Sequence, residues 1–136
     1  MKYRIKIFCV GKPLRGYLEE GVDLYTNRLK ANAEIEWVIV KSDKELIEKL
    51  KDISYLCFDV LGKSHSSESF SEIIQGEVSH NFVIGGASGI PPQILNKAKG
   101  LISFSRFTFP HELVRLLVVE QLYRAVEIAK NTPYHK

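Results

Sequence analysis

Short apolar runs alternate with amphipathic segments along the whole chain, and this alternation restricts the possible folds more than any other feature. The apolar runs resemble strands and cover residues 2–10, 34–40, 55–60, 81–84 and 101–105. Helical spacing follows at residues 14–29, 42–51, 91–100 and 110–130, with a weaker helix ending near Val78. Residues 62–69 are predicted as a loop or the start of that weaker helix. The pattern predicts an α/β fold, a mostly parallel sheet flanked by helices on both faces.

The length of 136 residues fits a single domain over residues 1–136, because an ordinary domain takes about 150 residues. Lys and Arg exceed Asp and Glu by 19 to 16, and this formal charge of +3 is too small to predict a nucleic-acid binder on its own. The charge is unevenly spread. Residues 97–136 carry seven basic and three acidic side chains, 7 − 3 = +4, whereas residues 1–96 carry 12 and 13.

Both cysteines, Cys9 and Cys57, lie inside apolar runs, where a thiol usually packs as a small hydrophobic group. Their number and spacing give neither a disulfide framework nor a metal site, which favours a reducing compartment. The first ten residues alternate charged and apolar side chains, unlike a signal peptide, and no stretch approaches the ~20 apolar residues that span a bilayer. We therefore expect a cytoplasmic protein without membrane segment or metal.

Three loops are candidates for ligand binding, because ligands of parallel sheets bind beyond the carboxyl ends of the strands. These loops follow Val60, Ile84 and Ser105. The second loop has the sequence GGASG at residues 85–89, and its glycines allow positive φ angles and close approach of a ligand to the backbone. It matches neither the dinucleotide fingerprint nor the P-loop. A tight strand-to-helix turn explains the same glycines equally well, so both interpretations stay open.

The third loop belongs to the segment FSRFTFPH at residues 104–111, which combines three aromatic side chains with a cation and two hydroxyls. Aromatic walls suit a flat ring such as adenine, and Arg106 suits a phosphate or carboxylate. Phe104 is equally well explained as a core residue of an alternating strand. His111, just after a proline at a helix start, is a candidate cap, base or RNA contact.

The last six residues, NTPYHK, follow the final helix as a short tail. Chain termini are usually frayed, so exposure to solvent is the simpler expectation. Tyr134, His135 and Lys136 nevertheless combine base stacking, proton transfer at neutral pH and phosphate binding, which suits an RNA site. His65 and His80 are expected at the surface.

The final helix is apolar almost all round, because Leu116, Val119, Tyr123 and Val126 fall in the same sector as its charged residues. One face can cover the sheet, and the other face needs burial as well. A second copy of the same helix about a two-fold axis provides this most simply, which predicts a homodimer. A helix buried centrally within the monomer is the alternative.

Four motifs follow one another in the C-terminal half: FVIGGASG at residues 82–89, SFSRFTFPHELVR at residues 103–115, EQLYRA at residues 120–125 and PYHK at residues 133–136. Together they resemble the RlmH family of ribosomal RNA large-subunit methyltransferases, knotted enzymes of the SPOUT class. The resemblance is close from residue 81 to the end and looser over residues 1–62. Between Val40 and Tyr55, family members commonly carry a longer helical segment than this chain has.

The resemblance implies a trefoil knot in the C-terminal part, a homodimer, and S-adenosylmethionine bound in the knot loops. It also implies methylation of N3 of a pseudouridine in 23S rRNA, with the assembled ribosome as substrate. Carried over position by position, it gives as cofactor contacts Phe58, Gly85, Phe104, Ser105, Arg106, Phe107, Thr108 and Phe109.

The same resemblance suggests residues near the acceptor base. We expect His135 and Tyr134, from the same or the partner chain, to lie nearest the base as catalytic residues, with Arg124 orienting the nucleotide. RNA contacts are expected from His111, Arg115 and Lys136.

Two other functions stay open at this stage. A related SPOUT methyltransferase acting on tRNA or another rRNA site would share the fold and the cofactor, and only its substrate would differ. A non-catalytic nucleotide- or RNA-binding module would bind S-adenosylmethionine without transferring its methyl group.

Overall fold

The computed structural model describes residues 2–136, which form five strands and five helices in strict alternation. The strands are β1 (Tyr3–Val10), β2 (Ala33–Val40), β3 (Leu56–Ser64), β4 (Ser79–Ile84) and β5 (Gly100–Ser103). The helices are α1 (Gly16–Leu29), α2 (Asp43–Leu50), α3 (Ser67–Gln75), α4 (Pro92–Lys97) and α5 (His111–Ala129). Within this part of the chain, no helix is long and apolar enough to cross a membrane.

All five strands pair in parallel in one sheet, in the order β2-β1-β4-β3-β5. Ile84, the last residue of β4, pairs with Cys9 on one side and with Phe58 on the other. Phe58 also pairs with Ile102 of β5. The segments that leave β3, β4 and β5 near these positions therefore lie side by side at one edge of the sheet. The predicted α/β architecture is confirmed, whereas the trefoil knot stays a prediction.

Helices cover both faces of the sheet, and each face has its own apolar core. In β1 the side chains of Ile5, Ile7 and Cys9 pack toward α1, α3 and α5, whereas Phe8 packs toward α2 and α4. All four are at most 3% exposed. This alternation follows from the two-residue period of a strand, and it explains why the buried strands are nearly continuous apolar runs in the sequence.

Helix α5 lies between α1 and α3 on one face of the sheet. A methyl group at Gly21 of α1 would lie 2.8 Å from Leu116 Cδ1, so the missing side chain lets α1 and α5 approach closely. On the other side, the Ser71 hydroxyl of α3 donates to the Ala125 carbonyl across 2.6 Å. Much of the apolar surface of α5 is thus buried within the monomer, which was the alternative to a dimer. The homodimer itself stays a prediction.

Strand β3 continues beyond the predicted end at Val60 and reaches Ser64. The register shifts after Phe58, and Lys63 and Ser64 then pair with the end of β5. The predicted loop over residues 62–69 was therefore wrong in its first part. Strand β3 is extended because its residues 63 and 64 pair with β5, a contact between distant parts of the chain. The two strands approach so closely that a methyl group at Gly62 would lie 2.6 Å from the Leu101 carbonyl carbon, and only glycine permits this approach.

One histidine and both cysteines are buried in the interior. The expectation of a surface position for His80 was wrong, because its ring is 8% exposed, stacks on Phe82 and lies 2.9 Å from the Ile74 carbonyl oxygen through Nε2. The thiols of Cys9 and Cys57 are buried, as predicted. Burial raises the pKa of Cys57 to about 12, so this thiol stays protonated and unreactive in the folded protein.

Replacing Gly62 with Ala should lower the free energy of unfolding by about 1–3 kcal/mol, because the new methyl group overpacks the β3–β5 contact. Urea denaturation followed by circular dichroism measures this change. Ser64→Ala in the same strand is a matched control, since Ser64 is exposed and such changes usually stay within about 0.5 kcal/mol. Equal urea midpoints for both variants would contradict the close approach.

Candidate active site

A cleft of about 230 Å³ opens where the middle of β3 and the segments after β4 and β5 meet. Its lining consists of Phe58, Asp59, Val60, Ile84, Gly85, Gly86, Gly89, Ile90, Ile102, Ser103, Phe104, Ser105, Phe107, Thr108, Phe109, His111 and Val114. The predicted loops after Ile84 and Ser105 meet here, whereas the predicted loop after Val60 contributes no lining residue, because this side of the cleft is lined from within β3. Ligand sites of parallel sheets lie at this edge.

The glycine loop at residues 85–89 is a tight turn closed by a 3.0 Å hydrogen bond from the Gly89 N–H to the Gly86 carbonyl. Gly89 has a φ of 79°, which favours glycine. A methyl group at Gly86 would lie 2.8 Å from the Val10 carbonyl oxygen, and one at Gly85 would lie 3.0 Å from the backbone of Gly89. The turn thus accounts for the glycines, and the same turn presents backbone to the cleft.

The loop after β5 is held by its own hydroxyls. The Ser103 hydroxyl donates to the Ser105 carbonyl across 3.1 Å, and the Phe107 N–H donates to Ser105 Oγ across 2.9 Å. Phe104 stacks on Phe109 with ring centroids 6.1 Å apart. Another ring, that of Phe58, meets Phe104 edge to face at 6.0 Å. The loop therefore gives the cleft a fixed aromatic wall.

A second cavity of about 240 Å³ adjoins this cleft on the α3–α5 side. The two cavities share Phe58, Ile102, Phe104, Ser105 and Phe109. The remaining lining comes from the start of α3 and the middle of α5: His65, Ser66, Ser67, Phe70, Leu117, Val118 and Gln121. His65 was expected simply at the surface, but it lines this cavity, and its backbone N–H donates to the Ser103 carbonyl at 3.1 Å.

Of the eight predicted cofactor contacts, seven line the cleft and Arg106 does not. Arg106 lies exposed in the loop between Ser105 and Phe107. The ring of Phe107 is 81% exposed, so mainly its backbone belongs to the cleft. The cofactor role of all eight residues stays a prediction.

The three predicted RNA contacts occupy very different places. His111 lines the cleft, and Lys136 is exposed at the end of the tail. Arg115 is buried, with 2% exposure, and its Nη1 donates to the Lys12 carbonyl across 2.7 Å, so its role as an RNA contact stays a prediction without support from its position. It fastens the loop after β1 to α5.

The C-terminal tail is docked on α5 through two carboxylates, neither of them among the predicted site residues: Glu127 Oε1 accepts from the Thr132 hydroxyl at 3.1 Å, and Glu120 holds the end of the tail. Glu120 Oε2 accepts hydrogen bonds from Arg124 Nη2 at 2.7 Å and from the Tyr134 hydroxyl at 2.8 Å. The Arg124 guanidinium also lies 4.9 Å from the centre of the Tyr134 ring. The expectation of a frayed, solvent-exposed tail was therefore wrong. The spacing of Glu120 and Arg124, four residues apart on a helix, was the available signal.

His135 is held between two charged side chains. Its Nδ1 lies 3.0 Å from Arg124 Nη1, and its Nε2 lies 3.4 Å from Glu68 Oε2 of α3. A guanidinium can only donate, so Nδ1 is the acceptor and the neutral ring carries its proton on Nε2, facing Glu68. In this position the lone pair of the imidazole is already engaged.

The pKa values of Tyr134 and Arg124 are raised by their surroundings. Burial raises the pKa of the Tyr134 hydroxyl above its usual range, and the hydrogen bond to Glu120 raises it further. The same carboxylate raises the pKa of Arg124. At neutral pH Tyr134 is therefore a hydrogen-bond donor and Arg124 a permanent cation.

A chain of side-chain hydrogen bonds connects the second cavity to the tail. The Ser67 hydroxyl donates to Gln121 Oε1 at 2.7 Å, and Gln121 Nε2 donates to Glu120 Oε1 at 2.9 Å. Glu120 in turn binds Arg124 and Tyr134. A change at the cavity can therefore affect the tail. Among residues 2–136, no group of acidic, His and Cys side chains could hold a metal ion.

Glu120→Ala should release the tail from α5, because Arg124 and the Tyr134 hydroxyl lose their shared acceptor and each charge-assisted bond contributes about 1.5–3 kcal/mol. Carboxypeptidase should then remove Lys136 and His135 several times faster than from the unmodified chain. Glu112→Ala on the same helix is the matched control and should leave the rate unchanged. Cleavage of the Glu120 variant at the unmodified rate would show that this carboxylate does not hold the tail.

Comparison with known proteins places the chain in a family. A family model described as "Predicted SPOUT methyltransferase" matches residues 3–135. A Lactiplantibacillus plantarum protein is 39% identical over 157 aligned positions, which cover 97% of this chain and 99% of the relative. A Protochlamydia amoebophila protein is 40% identical over 139 positions, which cover 98% and 99%. Both relatives are named ribosomal RNA large subunit methyltransferase H.

Two solved structures share the fold at low sequence identity. A Bacillus anthracis structure superposes with a TM-score of 0.58 at 12% identity and covers 96% of both chains. An A. aeolicus TrmH/SpoU tRNA modifying enzyme superposes with a TM-score of 0.51 at 11% identity, covering 97% of this chain and 81% of the enzyme.

The alignments also bear on the length of the chain. The 157 positions aligned with the Lactiplantibacillus protein exceed the 136 residues here, whereas the Protochlamydia alignment needs only 139. This agrees with a shortened chain, and the placement of the shortening between Val40 and Tyr55 stays a prediction. Near full-length identity of 39–40% confirms the resemblance seen in the motifs. The chain belongs to the SPOUT methyltransferases, in the family of ribosomal RNA large subunit methyltransferase H.

Proposed function

We propose that this protein transfers a methyl group from S-adenosylmethionine to N3 of a pseudouridine in 23S rRNA, and that it acts on the assembled ribosome in the cytoplasm. The observation that carries the proposal is the cleft between β3, the glycine loop at residues 85–89 and the loop after β5, in a chain of this family. The relatives are named as large-subunit rRNA methyltransferases, which supports the choice of substrate.

The residues of the cleft fit S-adenosylmethionine. Phe58, Phe104 and Phe109 give apolar walls for a flat adenine, and aromatic faces attract a sulfonium cation. The turn at residues 85–89 exposes backbone to polar groups of a ligand. Asp59, at the edge of the cleft, adds a carboxylate that suits hydroxyl groups or a cation.

When bound, S-adenosylmethionine supplies a methyl group that is already activated on sulfur. The protein then has two tasks, to align the acceptor nitrogen with the methyl carbon and to help remove the imide proton. The loop after β5 can help to align the two reactants, because its backbone is fixed by two hydrogen bonds that Ser105 accepts. Little further acid–base machinery is needed.

If His135 accepts the imide proton, the tail must take a position different from the docked one. In the docked position, His135 Nδ1 accepts from Arg124 and Nε2 faces Glu68, and Tyr134 is a protonated donor. Removal of a proton by His135 therefore requires it to leave one of these partners. When His135 has left, Arg124 and Glu120 are free to orient a nucleotide or a side chain that binds in the position of its ring.

The geometry favours a tail supplied by a second copy of the chain. His111 at the cleft and Arg124 beside the tail are separated by 13 residues of α5, which is about 20 Å along a helix. In the docked position the tail lies beside the second cavity, and Tyr134 and His135 do not line the cleft itself. A homodimer in which each tail completes the partner's site removes this separation, and it would also cover the half-buried apolar side chains of α5.

Methyl transfer tests the proposed reaction directly. Ribosomes from cells that lack this modification should accept labelled methyl from S-adenosylmethionine, and nuclease digestion with mass spectrometry should map the label to N3 of a pseudouridine. Free 23S rRNA and tRNA run alongside as controls. Label on tRNA alone would reject the rRNA substrate, and no label on any RNA, with the cofactor still bound, would reject the enzyme.

Mixing two inactive variants tests the shared site. His135→Ala removes the tail function and Phe104→Ala removes a wall of the cleft, so each variant alone should lose most activity. Mixed after dissociation and reassociation, they should regain about a quarter of the original activity, because half of the dimers are mixed and each has one intact site. No recovery, with mixed dimers verified, would place the tail at its own cleft, and full activity of His135→Ala would remove it from catalysis.

A further inference from the structure

Three large apolar side chains stand exposed in the segments that border the mouth of the cleft. Val60 is 53% exposed, Leu61 is 85% exposed and Phe107 is 81% exposed. Val60 and Phe107 line the cleft, and Leu61 follows directly in the chain. We call these three residues the rim.

The rim is held in its exposed position by local hydrogen bonds. The Leu61 N–H donates to Asp59 Oδ2 at 3.0 Å, and the Phe107 N–H donates to Ser105 Oγ at 2.9 Å. These bonds fix the backbone on both sides of the cleft mouth. The apolar side chains therefore face solvent as part of an ordered surface.

Two cations lie close to the rim in sequence, Arg106 next to Phe107 and Lys63 two residues after Leu61. Lys63 and Arg106 are both exposed, and within residues 2–136 neither forms an ion pair with a carboxylate. The carboxylate of Asp59, beside Val60, already accepts the Leu61 N–H. The surface thus combines an exposed aromatic ring, aliphatic neighbours and unpaired positive charge.

We propose that the rim is a stacking platform for an unpaired base of the RNA substrate next to the methylated nucleotide, with Phe107 as the stacking ring and Arg106 and Lys63 on the adjoining phosphates. The inference rests on the proposed function, because an acceptor nucleotide that reaches the cleft brings its neighbours across its mouth. Aromatic rings beside cations are the usual means of binding single-stranded RNA.

The charges favour RNA over a second copy of the chain as the occupant. In a two-fold contact the same patch meets itself, so Lys63 and Arg106 would approach the same cations of the partner. Phosphates match both cations and need no carboxylate from the protein. An aromatic ring with 81% of its surface free gains from stacking on a base whatever its identity.

The test compares Phe107→Ala, Phe107→Leu and Phe107→Tyr with Tyr17→Ala, an exposed aromatic (73%) at the start of α1 that does not line the cleft. Removing the ring should raise the KM for ribosomes about tenfold and raise the Kd for S-adenosylmethionine much less. Tyr should restore the KM, Leu should not, and Tyr17→Ala should stay within about twofold. A second readout is the fluorescence quenching of 2-aminopurine in a short single-stranded RNA, which should depend on an aromatic residue at position 107.

Several results would overturn the platform. Full activity of Phe107→Leu would show that the contact is merely apolar. An equal loss of cofactor affinity in Phe107→Ala would assign the ring to the cofactor. Dissociation of a dimer by the same substitution would assign the rim to a second copy. The proposed function fails separately. Quenching that depends on Phe107, without methyl transfer to any RNA by the unmodified chain, would keep the platform and reject the enzyme.

Discussion

The close backbone contacts at one edge of the parallel sheet are the constraint on which the rest of the structure depends. Gly86 lies against the Val10 carbonyl and Gly62 against the backbone of Leu101, and a side chain at either position would force these neighbours apart. Because the backbones meet there, β3 and the segments after β4 and β5 surround one cleft. The aromatic wall then follows from the hydroxyl contacts of Ser103 and Ser105, which fix the last of these segments.

Hydrophobic patterning was sufficient for the element order, the sheet class and the edge at which the cleft lies. Strands buried on both faces leave nearly continuous apolar runs, and the breaks between them are marked by Gly, Pro and Ser. The extension of β3 could not be predicted in this way, because residues 62–64 are small and polar, and pairing with β5 decides their conformation. Local sequence does not reveal such a partner.

Side-chain roles were harder to predict than the loops that carry them. Arg115 was taken for an RNA contact, yet its place on α5 aims it at the Lys12 carbonyl inside the protein. Glu120 was overlooked, although it organises Arg124 and Tyr134 and, through Gln121, reaches the second cavity. Both outcomes depend on contacts between distant parts of the chain, which a motif cannot encode. The tail and the second cavity are thus joined by hydrogen bonds and not by sequence proximity.

Hydrogen–deuterium exchange with and without S-adenosylmethionine tests most directly whether the cleft is the cofactor site. We expect slower exchange at residues 85–90 and 104–109 when the cofactor is added, because these segments form the cleft. Exchange should not change in the separate cavity between α2 and α4, which Leu50 and Lys97 help to line. Protection confined to that separate cavity would show that the cofactor does not bind in the cleft. No protection of residues 85–90 and 104–109 at saturating cofactor would show the same.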